Sequence, residues 1–147
     1  NTQTAYTRNR IRHLIVPALA KVNPRIVETL SAMGGRLHED ELALDLVATE
    51  AFEEACVVAE EGRTVLNRAA LGELPAGIRN RAFRLAFERA SGSSVDLKAD
   101  QIAKMAAISE RESPRGSYRL PSPWIFTREK DILTISRSAT KCDRRNS

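Results

Sequence analysis

The stretch "YTRNRIRH", residues 6–13, holds the side chains of this sequence best suited to meeting an anion. Arg8, Arg10 and Arg12 each end in a planar guanidinium that can offer two parallel N–H groups to a pair of phosphate oxygens. On a helix, Arg8 and Arg12 are four apart and share a face, with Arg10 and His13 on the adjoining side. Asn9 supplies a donor and an acceptor together, enough for a base edge or an amide. Arg8, Arg10, Arg12, Lys21 and Arg25 stand in the first 25 residues without a single acid. The cluster Arg8, Asn9, Arg10, Arg12 and His13 therefore reads as a phosphate-contacting, nucleic-acid-binding set. The competing reading is a basic helix that pairs with the acidic stretch 39–61 of the same chain, and His13 taken alone reads as a packing or hydrogen-bonding residue.

No other pattern completes an active site. Neither GxxxxGK[ST] nor GxGxxG occurs, and Gly34-Gly35 lies within helical periodicity, so no glycine-rich phosphate loop is expected. His38 sits in "RLHEDE" with no second nitrogen ligand nearby, and no metal site is expected. Cys56 and Cys142 are far apart, which is neither a metal spacing nor a disulfide framework. The carboxylates of 39–61 read as a solvated helix face. No catalytic residue is assigned. Arg79, Arg81 and Arg84 form a secondary basic set that could also meet a polyanion, with an i,i+4 pair between Arg84 and Glu88 as the alternative.

Charge comes in blocks. Residues 1–25 carry +5, residues 26–61 carry ten acids against Arg36 alone, and residues 62–91 and 117–147 are each +4. A polyanion would be repelled by the second block, so that block must face elsewhere. The composition, 42% apolar and 29% charged over 147 residues, allows one domain with a core, or a domain plus an appendage. No apolar run approaches the ~20 residues of a membrane span, and no signal peptide is visible. The cysteine usage points to a cytoplasmic, reducing compartment.

The elements that must carry these residues are mostly helical. Ile11, Leu14, Ile15, Ala18, Leu19 and Val22 trace one stripe, which Pro17 should kink. Asn23-Pro24 reads as a cap opening a second, long helix that runs to Gly62 and bends near Gly34-Gly35. Thr64–Leu66 reads as a short strand. Leu74-Pro75 opens a third helix, closed at Ser91-Gly92, with Ile78, Ala82, Leu85, Ala86, Phe83 and Phe87 inward. A fourth helix buries Ile102, Met105, Ala106 and Ile108, and Ser94 or Asp96 would cap it. Trp124–Thr127, a charged turn "REKD" and Ile132–Ile135 form a hairpin pattern, to which Tyr118–Leu120 could add a strand. The fold class is mainly α: a helical domain with a long bent helix, closed by a small antiparallel hairpin or three-stranded sheet. The expected organisation is a basic linker helix at 1–22, a helical substrate-binding domain at 23–116, a small β element at 117–137 and a disordered basic tail or linker at 138–147.

The pattern Asn1-x4-Tyr6-x-Arg8-Asn9-Arg10-Ile11-Arg12-His13, followed by Pro17-x-Leu19 and Asn23-Pro24, resembles a segment of tRNA(Ile)-lysidine synthetases. In that family an Asn-x4-Tyr-x-Arg-Asn-x-x-Arg stretch follows the catalytic domain and precedes x4-Pro-x-Leu. "LPAGIRNRAFRLAFERASG" is similar to the helix after the family's long linker, and "GSYRLPSPWIFTREKDILTISR" to its strand-rich close. The resemblance spans roughly 1–137. It implies ligation of lysine to the wobble cytidine of an isoleucine tRNA with a CAU anticodon, using ATP and Mg in the parent enzyme. The family's Ser-Gly-Gly-x-Asp-Ser ATP loop does not occur here. The chain thus reads as a C-terminal, noncatalytic, tRNA-binding part, inactive by itself and without a cofactor of its own, with the basic segment beside the reaction centre. The rival function is a protein-interaction module that docks its basic helix on an acidic partner or on a second copy, as a homodimer.

Overall fold

A computed structural model describes residues 2–92 and 97–138. The proposed caps Ser94 and Asp96, residue Asn1 of the opening motif, Cys142 and the expected tail beyond Ser138 lie outside the described residues. Packing divides the chain into two compact units, Asn1–Ala43 and Leu44–Ser147.

The first unit is helical. Helix α1 (Thr2–Arg10) passes through a π-helical turn, Ile11–Ile15, into α2 (Val16–Val22). The turn has a local cause. Pro17 has no N–H, and in a regular helix its ring would press on the carbonyl of His13. The chain widens just before the proline instead, and the backbone N–H of Val16 reaches back to the Ile11 carbonyl. Asn23 then caps the next helix, its Oδ1 accepting from the Arg25 N–H at 3.0 Å. Helix α3 (Ile26–Ala55) runs unbroken through Gly34-Gly35.

Helix α3 ends at Ala55, not at Gly62. Cys56–Glu60 is a strand, β1, where the apolar spacing predicts helix. Val57-Val58 explains the difference. Adjacent β-branched residues lose side-chain freedom in a helix and suit a pleated surface. A tight turn follows at Glu61-Gly62 and delivers the chain to β2 (Arg63–Asn67), which pairs with β1 antiparallel. The Gly62 N–H bonds the Ala90 carbonyl at 2.8 Å and ties that turn to the end of a later helix.

Beyond β2 come α4 (Arg68–Gly72), α5 (Ala76–Ser91), α6 (Ala99–Glu110), β3 (Arg115–Arg119), β4 (Trp124–Glu129) and β5 (Ile132–Arg137). The α5 boundaries agree with the sequence signals. Pro75 precedes its first residue, and Gly92 takes the left-handed conformation, φ 62°, that lets its N–H return to the Glu88 carbonyl. Helix α6 starts after Lys98, whose N–H is taken by the Gln101 side chain at 2.8 Å. The expected three-stranded sheet is a five-stranded antiparallel one in the order β1-β2-β5-β4-β3. The enlargement comes from β2 lying beside β5, Arg63 opposite Ser136 through Asn67 opposite Ile132. Hairpin turns fix the register of neighbouring strands, but this pairing joins segments some 70 residues apart and has no local signature.

Helices α5 and α6 lie against the sheet. Phe83, Phe87, Ile102 and Met105 bury against Leu66, Phe126, Leu133 and Ile135. Phe83 meets Phe126 edge to face with centroids 5.8 Å apart, and Phe87 meets Trp124 at 6.0 Å. The hairpin turn is shorter than "REKD": β4 extends to Glu129, leaving Lys130-Asp131 to turn the chain. Arg128 is therefore a strand residue facing the core, 5% exposed. Its Nη1 donates to the carbonyls of Ile108, at 3.0 Å, Ser109, at 3.2 Å, and Arg111, and its Nε to the Lys130 carbonyl at 3.1 Å. The guanidinium thus satisfies carbonyls at the end of α6 that have no partner within that helix.

Substitutions at two positions test this packing. Arg128→Met is expected to cost about 2–4 kcal/mol in urea unfolding, because the carbonyls it serves remain buried. Arg128→Lys should recover little of that, since one ammonium cannot span them. Gly116→Ala would set a Cβ 2.8 Å from Ile108 Cγ2, a methyl on a stiff branched side chain. It should lower the unfolding midpoint by about 1–3 kcal/mol of stability.

Candidate functional site

The basic cluster lies wholly in the first unit. Arg8, Asn9 and Arg10 occupy the last turn of α1, and Arg12 and His13 lie within the π turn. All five side chains are exposed. None makes an ion pair or a side-chain hydrogen bond with another described residue; the one contact is Arg10 over the Tyr6 ring, 5.9 Å from its centroid. That placement bears on the two readings of the cluster. Within the first unit these guanidinium groups are exposed and, among the described residues, pair with no carboxylate. Each is open to an incoming anion.

The secondary set is arranged otherwise. Arg79 pairs with Glu110, joining α5 to α6, and its side chain is only 12% exposed. Arg81 Nη1 meets Asp45 Oδ1 at 2.8 Å, so here the acidic stretch around α3 does have a basic partner in its own chain. Arg84 Nη1 donates to the Leu97 carbonyl at 3.1 Å. These three groups are brought together along α5 but are occupied in holding the helices in place. The sequence signal for that role is the alternation of acidic and basic blocks, which lets α3 and α5 attract one another.

The remaining titratable groups form no metal centre: among the described residues no group of three or more His, Cys, Asp or Glu could hold an ion. His38 is exposed on α3. No helix among the described residues is long and apolar enough to cross a membrane. One feature without a clear sequence signal is the exposure of the apolar stripe. Tyr6, Leu14, Leu19, Leu30 and Leu37 are each 42–66% exposed, although their spacing is that of a buried helix face.

No family model matches the chain. Three curated relatives are tRNA(Ile)-lysidine synthases. The one from Geobacter sulfurreducens is 31% identical over 137 residues, 93% of this chain and 29% of its own length. The one from Leifsonia xyli is 30% identical, covering 92% of this chain and 40% of its own. The one from Geobacillus kaustophilus is 32% identical, covering 89% of this chain and 28% of its own. The chain spans less than half the length of each of these relatives.

The proton affinity of Cys56, half-buried at the start of β1, departs clearly from the ordinary value. Burial pushes its pKa up; a hydrogen bond from the Val58 backbone and the charge of Arg89 oppose this without cancelling it. The thiol therefore stays protonated to higher pH in the folded state than in the unfolded one. Its contribution to stability is complete below the unfolded pKa and is lost as pH rises through the folded value. In a Cys142→Ser background, alkylation of Cys56 by iodoacetamide should show its rate–pH midpoint displaced upward from that of the urea-unfolded chain. Coincident midpoints would contradict the burial effect.

Proposed function

We infer, for a chain related over nine-tenths of its length to tRNA(Ile)-lysidine synthases, that it serves such an enzyme by holding the tRNA. The substrate is an isoleucine tRNA with a CAU anticodon, and the reaction of the whole protein joins lysine to it at the cost of ATP, with Mg, in the cytoplasm. This chain contributes affinity and orientation and no catalytic residue. Residues 1–22 connect the body to the catalytic part, and Arg8, Asn9, Arg10, Arg12 and His13 meet the phosphates there.

One observation carries the reading: three arginines within five residues are solvent-exposed and have no carboxylate partner among the described residues. Phosphate contacts of this kind position a nucleic acid without reading its sequence; discrimination falls to bases contacted elsewhere. Arg79, Arg81 and Arg84 are secondary contributors, limited by their bonds to Glu110, Asp45 and Leu97.

A second reading has its own observation. The exposed apolar stripes of α1, α2 and α3 favour docking on a protein partner or a second copy of the chain. Salt separates the two readings, because phosphate binding weakens as salt rises while apolar association does not. Fluorescence anisotropy with a labelled transcript of the tRNA should give affinities whose logarithm falls linearly with the logarithm of salt concentration. Arg8→Ala and Arg12→Ala should each reduce that slope by about 1. A slope equal to that of the parent chain would remove those residues from the interface. Sedimentation showing dimers with no binding of the transcript would instead favour protein interaction, salt-sensitive dimers for the basic helix docked on an acidic surface and salt-insensitive ones for the apolar stripes.

A further inference from the structure

The sheet of the second unit has two different faces. Along each strand, alternate residues point to opposite sides. The set Tyr118–Phe126–Ile135–Thr64 and the set Gly116–Arg128–Leu133–Leu66 run across the strands on the side packed by α5 and α6. The alternate residues make the opposite side. One row there is Ser117–Thr127–Thr134–Val65, and the next is Arg119–Ile125–Ser136–Arg63. Arg63, Arg119 and Ser117 are exposed, and Thr127, Thr134 and Ser136 half-buried. None of these six side chains has a hydrogen-bond or ion-pair partner among the described residues, so six polar groups converge on one face with their bonding capacity unused.

We propose that this face is a second nucleic-acid contact surface, which takes the sugar–phosphate backbone of double-helical RNA. The proposal rests on the reading of the chain as a tRNA-holding part. Three features select that occupant. Arg63 and Arg119 are three strand spacings apart, ~14 Å, too far for one small anion and suited to successive phosphates. Between and beside them, next to Ile125 and the buried Val65, the hydroxyls of Ser117, Thr127, Thr134 and Ser136 can both donate and accept, as recognition of 2′-hydroxyls requires. No aromatic ring lies in either row, because Tyr118, Trp124 and Phe126 point to the other face. Unstacked bases would therefore find no platform here, which excludes single-stranded recognition by stacking. The acids of this face are Glu60, directly across from Arg63 on the edge strand β1, and Glu129, beside the β4–β5 turn.

The two kinds of contact have different signatures. Replacing an arginine removes counterion release, whereas replacing a hydroxyl removes hydrogen bonds and leaves the ionic part intact. In the full chain with the tRNA transcript, Arg63→Ala/Arg119→Ala is expected to weaken binding about tenfold near 0.1 M salt and to reduce the salt slope by about 2. Thr127→Val/Thr134→Val, nearly isosteric, should weaken binding several-fold with the slope unchanged. Thermal melts coincident with the parent chain would show both variants folded. Unchanged binding by both variants, while Arg8→Ala/Arg12→Ala binds weakly, would overturn the sheet-face proposal and leave the basic helix as the interface. Weakened binding by both sheet variants, with Arg8→Ala/Arg12→Ala unaffected, would uphold this face and remove the helix. A parent chain that fails to bind the transcript would overturn both.

Discussion

A guanidinium almost closed off from water organises the second unit. Arg128 projects from β4 into the core and spends its N–H groups on the carbonyls of Ile108, Ser109, Arg111 and Lys130. A buried cation without a carboxylate partner is costly unless hydrogen bonds surround it. Here the negative end of α6 supplies them, so helix and cation satisfy one another. The contact sets where α6 ends and holds it over β4. Gly116 belongs to the same device: at that point β3 comes so close to Ile108 that a Cβ would lie 2.8 Å from its methyl.

The arginines of this chain divide by what surrounds them. Arg68 bonds Asp131 through Nε and Nη2, which closes the β4–β5 turn against the start of α4. Arg79, Arg81, Arg84 and Arg128 likewise connect elements within the second unit. Arg8 and Arg12 in the first unit, and Arg63 and Arg119 on the sheet face opposite α5 and α6, make no side-chain bond to a described residue. Arg8 with Arg12, and Arg63 with Arg119, are two of the places where this chain, with a formal net charge of +4, presents positive charge without a carboxylate partner among the described residues. Both are surfaces on which a polyphosphate could neutralise several charges together, and counterion release makes such contacts strong at low salt.

Among the described residues the first unit holds no buried core residue. Its stripe of Ile11, Leu14, Ile15, Leu19 and Val22 is exposed, as are Leu30, Met33 and Leu37 on α3. Helices of this kind owe most of their stability to tertiary packing of the apolar face, beyond what propensity supplies. The physical interest of the π turn lies here. By adding a residue to one turn ahead of Pro17, it sets the rotation of Arg8 and Arg12 relative to the apolar residues of α2.

The chain order of side chains by itself determined the helices with clean boundaries and the basic cluster. Pro75 and Gly92 bracket α5 because one pre-sets a helical entry and the other accepts a left-handed exit, both properties of single residues. The run Arg8-Asn9-Arg10-x-Arg12 was legible because its contacts are local or absent. Tertiary structure decided the rest. Cys56–Glu60 has a spacing that also fits a helix, and it becomes a strand because β2 is there to pair with it. Arg128 looks like a turn residue until the carbonyls of α6 arrive beside it. Arg79, Arg81 and Arg84 read from the sequence as a set facing a polyanion, and only the fold adds that they also bond Glu110, Asp45 and the Leu97 carbonyl. In each case the deciding partner lies far along the chain. The same is true of the sheet face opposite α5 and α6, whose rows exist only once β2, β5, β4 and β3 stand side by side.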